Sequence, residues 1–166
     1  MTRFRKVISL LNELKRKRLI NNYAIGGGVA AYRYVGMPTK DLDIFIIAKS
    51  TGSIIHLSPI YEYLKERGYS KWTGQFLLIE GYPVDFIIAK EMEEEAVINA
   101  LRITYEGIRT RVMRPEYLIA ISLSVGRPKD RARVIRILSE AKLNYKLLTD
   151  ILTRYDLLRK IDEVKR

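Results

Sequence analysis

The chain has 166 residues, 48% hydrophobic and 30% charged, with a net charge of +11 and no cysteine. That length suits one domain that buries roughly 70% of its unfolded surface without covalent staples, and the missing cysteines exclude disulfides, zinc–thiolate sites and cysteine nucleophiles. No apolar run approaches the ~18 residues of a membrane span, and the N-terminus lacks the apolar stretch and cleavage site of a secretory signal, so no membrane association and a cytoplasmic location are expected.

The charge is uneven. Residues 1–18 carry seven Lys/Arg against one Glu, and residues 127–166 carry twelve against six acids. The intervening residues hold eleven bases and twelve acids. Both basic ends read as helical, a distribution that suits a polyanion such as RNA or DNA. It equally suits a well-solvated helical surface of a heat-adapted protein.

In chain order, Phe4, Val7, Ile8, Leu11 and Leu14 recur at three- and four-residue spacing, predicting an amphipathic helix over residues 3–20 that Asn21 and Asn22 end. A short strand, Tyr23 to Ile25, enters the glycines Gly26, Gly27 and Gly28, and a short helix from Val29 to Tyr34 leaves them before Gly36 and Pro38. Thr39 to Ala48 reads as a strand. Ser53 is a candidate N-cap for a helix ending at Gly68, which carries the sole histidine, His56, as a surface or packing residue.

Gln75–Glu80 and Tyr82–Ala89 read as a hairpin about Gly81, Glu91–Leu101 as a helix with acids at its start, and Ile103–Val112 as a strand interrupted at Gly107. From Pro115 only helices are predicted: Glu116 to Val125, Asp130 to Lys142, and one long helix over residues 145–165. Trp72 and most of the eleven tyrosines are expected to pack, while Tyr145 and Tyr155 either pack or stack on bases. The expected fold class is α/β (α+β): a mixed β-sheet flanked by helices over residues 1–114, followed by a helical extension over 115–166.

The chemistry concentrates in residues 23–47. Asp41 and Asp43 are separated by Leu42 in an extended run, so both carboxylates project from one face while Leu42, Ile44 and Ile46 face the other. Two carboxylates so close repel, and a divalent cation relieves them; oxygen ligands select Mg²⁺ or Mn²⁺. Asp85, the one acid inside another apolar strand-like run, is the candidate third ligand. Three such carboxylates would hold two ions, one activating an attacking hydroxyl and one gripping a triphosphate. Gly26, Gly27 and Gly28 admit a phosphate close to backbone N–H groups at a helix start, or serve close strand–helix packing. Thr39 and Lys40 add a hydroxyl and a cation, Lys40 equally fitting a solvated strand end.

These residues, Gly27-Gly28-Val29-Ala30 and Thr39-Lys40-Asp41-Leu42-Asp43-Ile44, resemble the DNA polymerase β nucleotidyltransferase superfamily. The likeness is greatest to its small members, which include abortive-infection toxins and tRNA-modifying transferases. The resemblance implies the nucleotidyltransferase fold, metal binding by Asp41, Asp43 and Asp85, and triphosphate (ATP or another NTP) held by Gly27 and Gly28. It further implies, from Pro115-Glu116-Tyr117-Leu118 and the later Lys129-Asp130, that Lys129 contacts nucleotide phosphates and Asp130 orients that lysine or the base. The implied activity is Mg²⁺-dependent transfer of a nucleoside monophosphate to an acceptor hydroxyl, tRNA or another RNA being the expected acceptor. An antitoxin partner and a monomer or homodimer go with it. The chain departs from relatives at Met37, Gly28 and Arg133, where Arg, Ser and Asp are common.

Two rivals remain. An inert nucleotide-binding or antitoxin-like module would retain the same residues without turnover. A dinucleotide-binding fold would use Gly26-x-Gly28-x-x-Ala31, although the acids open the second strand and Lys49 stands at its far end, where a ribose-binding acid belongs.

Overall fold

The computed structural model describes residues 1–49 and 57–166. Thr2 caps α1 (Arg3–Arg16), its hydroxyl accepting from the Arg5 N–H, and Val7, Ile8, Leu11 and Leu14 form the buried stripe. The helix stops four residues earlier than its apolar spacing suggests. Arg18 turns the chain at positive φ, and Ile20, Asn21 and Asn22 open β1 (Ile20–Ile25) instead of closing the helix.

The glycines lead into α2 (Gly27–Val35), which the left-handed Gly36 ends. β2 (Leu42–Ala48) returns antiparallel to β1, with Ile25 opposite Ile44 and Tyr23 opposite Ile46. Asp41 therefore sits just before the strand, not inside it. Antiparallel pairing also rules out the dinucleotide-binding reading, whose strand–helix–strand unit requires parallel strands.

The expected helix start at Ser53, with Ile54 and His56, lies outside the described residues; the described helix is α3 (Ser58–Glu66). β3 (Trp72–Thr73), absent from the sequence expectation, pairs with β4 (Phe76–Ile79), and β4 forms the anticipated hairpin with β5 (Tyr82–Ile88). Trp72 is 49% exposed, its ring set edge-on to Tyr61. After α4 (Met92–Ile98), the single strand expected about Gly107 is a hairpin of β6 (Leu101–Tyr105) and β7 (Ile108–Val112).

Among the described residues these strands form one seven-stranded mixed sheet ordered β3-β4-β5-β2-β1-β7-β6. β2 runs parallel to β5, and β1 meets β7 in parallel at a single pair, Ile25 with Val112.

The remaining chain is helical: α5 (Pro115–Val125), α6 (Pro128–Glu140), α7 (Tyr145–Arg154) and α8 (Leu158–Lys165). The long last helix is broken, with Asp156 at positive φ redirecting the chain. α5 is buried on nearly every side and continues the core begun by α1, β1 and β2. Glu95 on α4 fastens α7 to it, accepting hydrogen bonds from Arg154 and Tyr155, and also from Tyr117 on α5. Tyr155 is thus a packing residue, whereas Tyr145 is exposed.

Candidate functional site

The site forms where β1 ends and β2 begins. The Gly26 N–H donates to the Asp43 carbonyl at 2.9 Å, drawing the glycine turn onto the strand entry. A methyl group on Gly26 would stand 2.6 Å from Phe45, and one on Gly28 2.5 Å from the Thr39 hydroxyl. One on Gly27 would overlap the Asp43 carboxylate, and Gly27 is also held at φ +54°. Gly26 packs against Phe45 on β2 and against Met113 and does not line the cleft, while Gly27 brings the uncapped start of α2 against Asp43 and Gly28 brings it against Thr39.

Asp43 and Asp85 are register partners on the parallel strands β2 and β5, so their carboxylates share one face of the sheet. Asp41 joins them at the strand entry, and all three line one cleft of about 220 Å³ with Gly27, Gly28 and Thr39. Lys40 is exposed and does not line it. Leu42, Ile44 and Ile46 are buried in the core on the opposite side of β2.

Burial, and then the neighbouring Asp85, push the Asp43 carboxyl up; Arg133 and Lys129 pull in the other direction. Burial also lifts Asp85, with Asp41 adding to it.

The cleft is also lined by Arg127, the N-cap of α6, and by Lys129 and Arg133 within that helix, and all three charges act on Asp43. Asp130 lines it too, but at 1% exposure it works from beneath: it accepts from the Arg127 Nε at 2.7 Å, the Arg127 backbone N–H at 3.3 Å and Arg133 Nη1 at 3.4 Å. Of the two roles expected for Asp130, orienting Lys129 or the base, the first finds no hydrogen bond here, because its bonds go to the two arginines. Lys129 is exposed at the rim. Arg127 and Arg133 were missed as site residues; the legible signal was Asp130 at the third position of a Pro-initiated helix, three residues from each arginine.

The donors along the acidic wall are oxygen alone, the type hard cations take. Among the described residues the acids do not close into a ready-made ligand sphere of three or more. The donor chemistry and the buried Asp43, whose raised carboxyl Arg133 and Lys129 offset only in part, nevertheless fit a divalent cation.

No known family profile matches the sequence, and no curated protein matches it. Among solved structures the chain is similar to the crystal structure of an antigenic nucleotidyltransferase-like protein from Paracoccidioides brasiliensis. The two share 18% identity with a TM-score of 0.53, over 96% of this chain and 90% of the other. The chain has a nucleotidyltransferase-like fold. No helix among the described residues is long and apolar enough to cross a membrane.

Proposed function

We propose that the chain is a nucleotidyltransferase that moves a nucleoside monophosphate from an NTP to an acceptor hydroxyl, with Mg²⁺ or Mn²⁺ as cofactor. The observation that carries this reading is the parallel register of Asp43 with Asp85, with Asp41 at the strand entry and Gly27 pressed against Asp43. Glycines after a strand serve many phosphate-binding folds; a carboxylate trio on adjacent strands beside them suits phosphoryl chemistry.

In this mechanism the N–H groups at the start of α2 and the Thr39 hydroxyl receive phosphate oxygens. Arg127, Lys129 and Arg133 offset the triphosphate charge from the start of α6, with Asp130 fixing the two arginines. The acceptor oxygen bonds to the α-phosphorus as the bond to the β-phosphate oxygen breaks, and pyrophosphate leaves. Asp85, lifted by burial, is placed to take the hydroxyl proton. A bound divalent ion, held by Asp41, Asp43 and Asp85, would supply charge neutralisation and activate the hydroxyl. We take the acceptor to be RNA, tRNA first, because cations predominate at both chain ends; a cognate antitoxin is the corresponding protein partner.

Incubating the protein with labelled NTPs, Mg²⁺ and total RNA, beside Asp41→Ala/Asp43→Ala, tests the reaction. Label should pass to RNA only with the unaltered protein, and its failure to do so sinks the RNA-transferase form. One observation favours the inert nucleotide-binding module: Arg133 and Lys129 already supply positive charge to Asp43. Calorimetry separates the two, since NTP affinity unchanged by Mg²⁺ supports the inert module.

A further inference from the structure

Apart from the cleft, α1, β1 and the β6–β7 hairpin enclose a recess of about 320 Å³ that shares no lining residue with it. Four of its lining residues are cationic: Lys15, Arg102, Arg109 and Arg111, with the Arg109 and Arg111 side chains on the face of β7 opposite Thr110. Among the described residues no carboxylate lines the recess, and none of the four cations is in an ion pair.

The arrangement is unfavourable on its own. Arg102 and Arg111 are directly opposed cross-strand partners, a placement in which like charges destabilise a sheet. Burial, and then Arg102, hold the Arg111 guanidinium below its ordinary value. Its Nη2 donates to the Val97 and Ile98 carbonyls at the end of α4, at 2.7 and 3.1 Å, which leaves the buried Nε without a partner.

The surrounding wall is firmly built. The Tyr23 hydroxyl donates to Asn12 Oδ1 at 2.8 Å and shares a hydrogen bond with the Thr110 hydroxyl at 2.9 Å. Asn12 Nδ2 in turn donates to the Arg109 carbonyl at 2.9 Å.

Cationic residues bordering one recess, with no carboxylate among them, call for an anion from outside. The cations do not stop at its edge. Arg16, Lys17 and Arg18 follow Lys15 directly at the end of α1, all exposed. A charge run leading out of a recess matches a polymer with an anion at regular intervals better than a single small ion.

We propose that the recess seats one backbone phosphate of an RNA strand, which continues over the end of α1. The proposal rests on the reading that the acceptor is RNA, but on none of the chemistry in the cleft.

The test is fluorescence anisotropy of the full chain with a labelled single-stranded RNA oligonucleotide across a salt series, without NTP or Mg²⁺. Arg102→Gln/Arg109→Gln should bind about tenfold or more weakly, as expected for losing charge-assisted phosphate contacts. Its salt slope should be shallower by about one unit. The charge-matched control Lys142→Gln/Lys165→Gln, outside the recess, should stay within about threefold of the unaltered chain. Equal losses in both variants overturn the proposal in favour of a diffuse field. Displacement by inorganic phosphate or AMP as readily as by unlabelled RNA overturns it in favour of a free anion. Equal competition by polyglutamate overturns the phosphate assignment.

If the Gln pair no longer melts cooperatively, Arg102→Lys/Arg109→Lys carries the test. Binding weakened by about threefold or more is expected there, because Lys loses the forked guanidinium contact to phosphate; binding and salt slope both unchanged from the unaltered chain overturn the proposal in favour of a diffuse field. Because the assay contains neither nucleotide nor metal, its failure leaves the transfer reaction standing. A failed transfer assay likewise leaves this binding intact.

Discussion

The cleft and the recess both gather charge, and they manage it in opposite ways. The cleft is bipolar: carboxylates at the β2 entry and on β5 share it with cations at the start of α6, and Asp130 ties two of those cations down. The recess has one sign only: Arg111 rests on helix-end carbonyls and Lys15 on the Asn22 side chain, both neutral supports. A bipolar site can hold itself in shape before any ligand arrives. A unipolar one stores repulsion that only an incoming counter-charge relieves.

The largest effect expected from breaking this contrast is at Asp43. Asp43→Asn should lower transfer about a thousandfold, the equivalent of ~4 kcal/mol. The same variant should melt higher than the unaltered chain in metal-free buffer. The sign follows from the raised carboxyl: folded Asp43 holds its proton more readily than unfolded Asp43, so its ionisation opposes folding as pH rises past the ordinary carboxylate range. Added Mg²⁺ should raise the melting temperature of the unaltered chain and not that of Asp43→Asn.

Next is Gly27→Ala. Overlap with the Asp43 carboxylate and the positive φ should together destabilise by ~2–4 kcal/mol in denaturant unfolding, with loss of NTP binding. Stability unchanged there would show that the turn and the strand entry are not held together as described.

Glu95 tests the attachment of the helices. Burial raises its carboxyl, but donation from Tyr155, Arg154 and Tyr117 more than reverses this and leaves it below its ordinary 4.5. Its stabilisation is therefore present above pH 4.5 and lost as pH falls through the folded value. Glu95→Gln should cost about 1–2 kcal/mol at neutral pH and flatten the acid limb of the stability curve. The smallest effect, of opposite sign, belongs to the recess: Arg102→Gln should stabilise the RNA-free chain by up to ~0.5 kcal/mol by removing a like-charge pair.

Sequence made some of this legible and hid the rest for physical reasons. Asp41, Asp43 and the glycines stood out because carboxylates and three successive glycines beside an apolar strand are expensive, and Asp85 because it is the lone acid in a buried run. Their meeting depends on the parallel register of β2 with β5, which no local pattern encodes. Arg127 and Arg133 share a cleft with the acids only because Gly126 ends α5 in a left-handed conformation and lets α6 fold back. The recess was invisible, since Lys15 meets Arg102, Arg109 and Arg111 across some ninety positions of chain. The break before α8 occurs at Asp156 with no glycine or proline near it, so apolar spacing alone ran two helices into one.

The lone pairing of Ile25 with Val112 has a consequence for distance. Arg111 borders the recess and Met113, two residues on, borders the cleft, with the Met113 N–H donating to the Ile25 carbonyl at 2.9 Å. Met113 stands just past the end of β7; two residues of extended chain span about 7 Å and share a side, and a one-residue insertion between them would send one to the other side. The offset between the border of the recess and the border of the cleft is thus set by backbone register. β7 is a gauge cut into the sheet, and any strand that touches both places is measured against it.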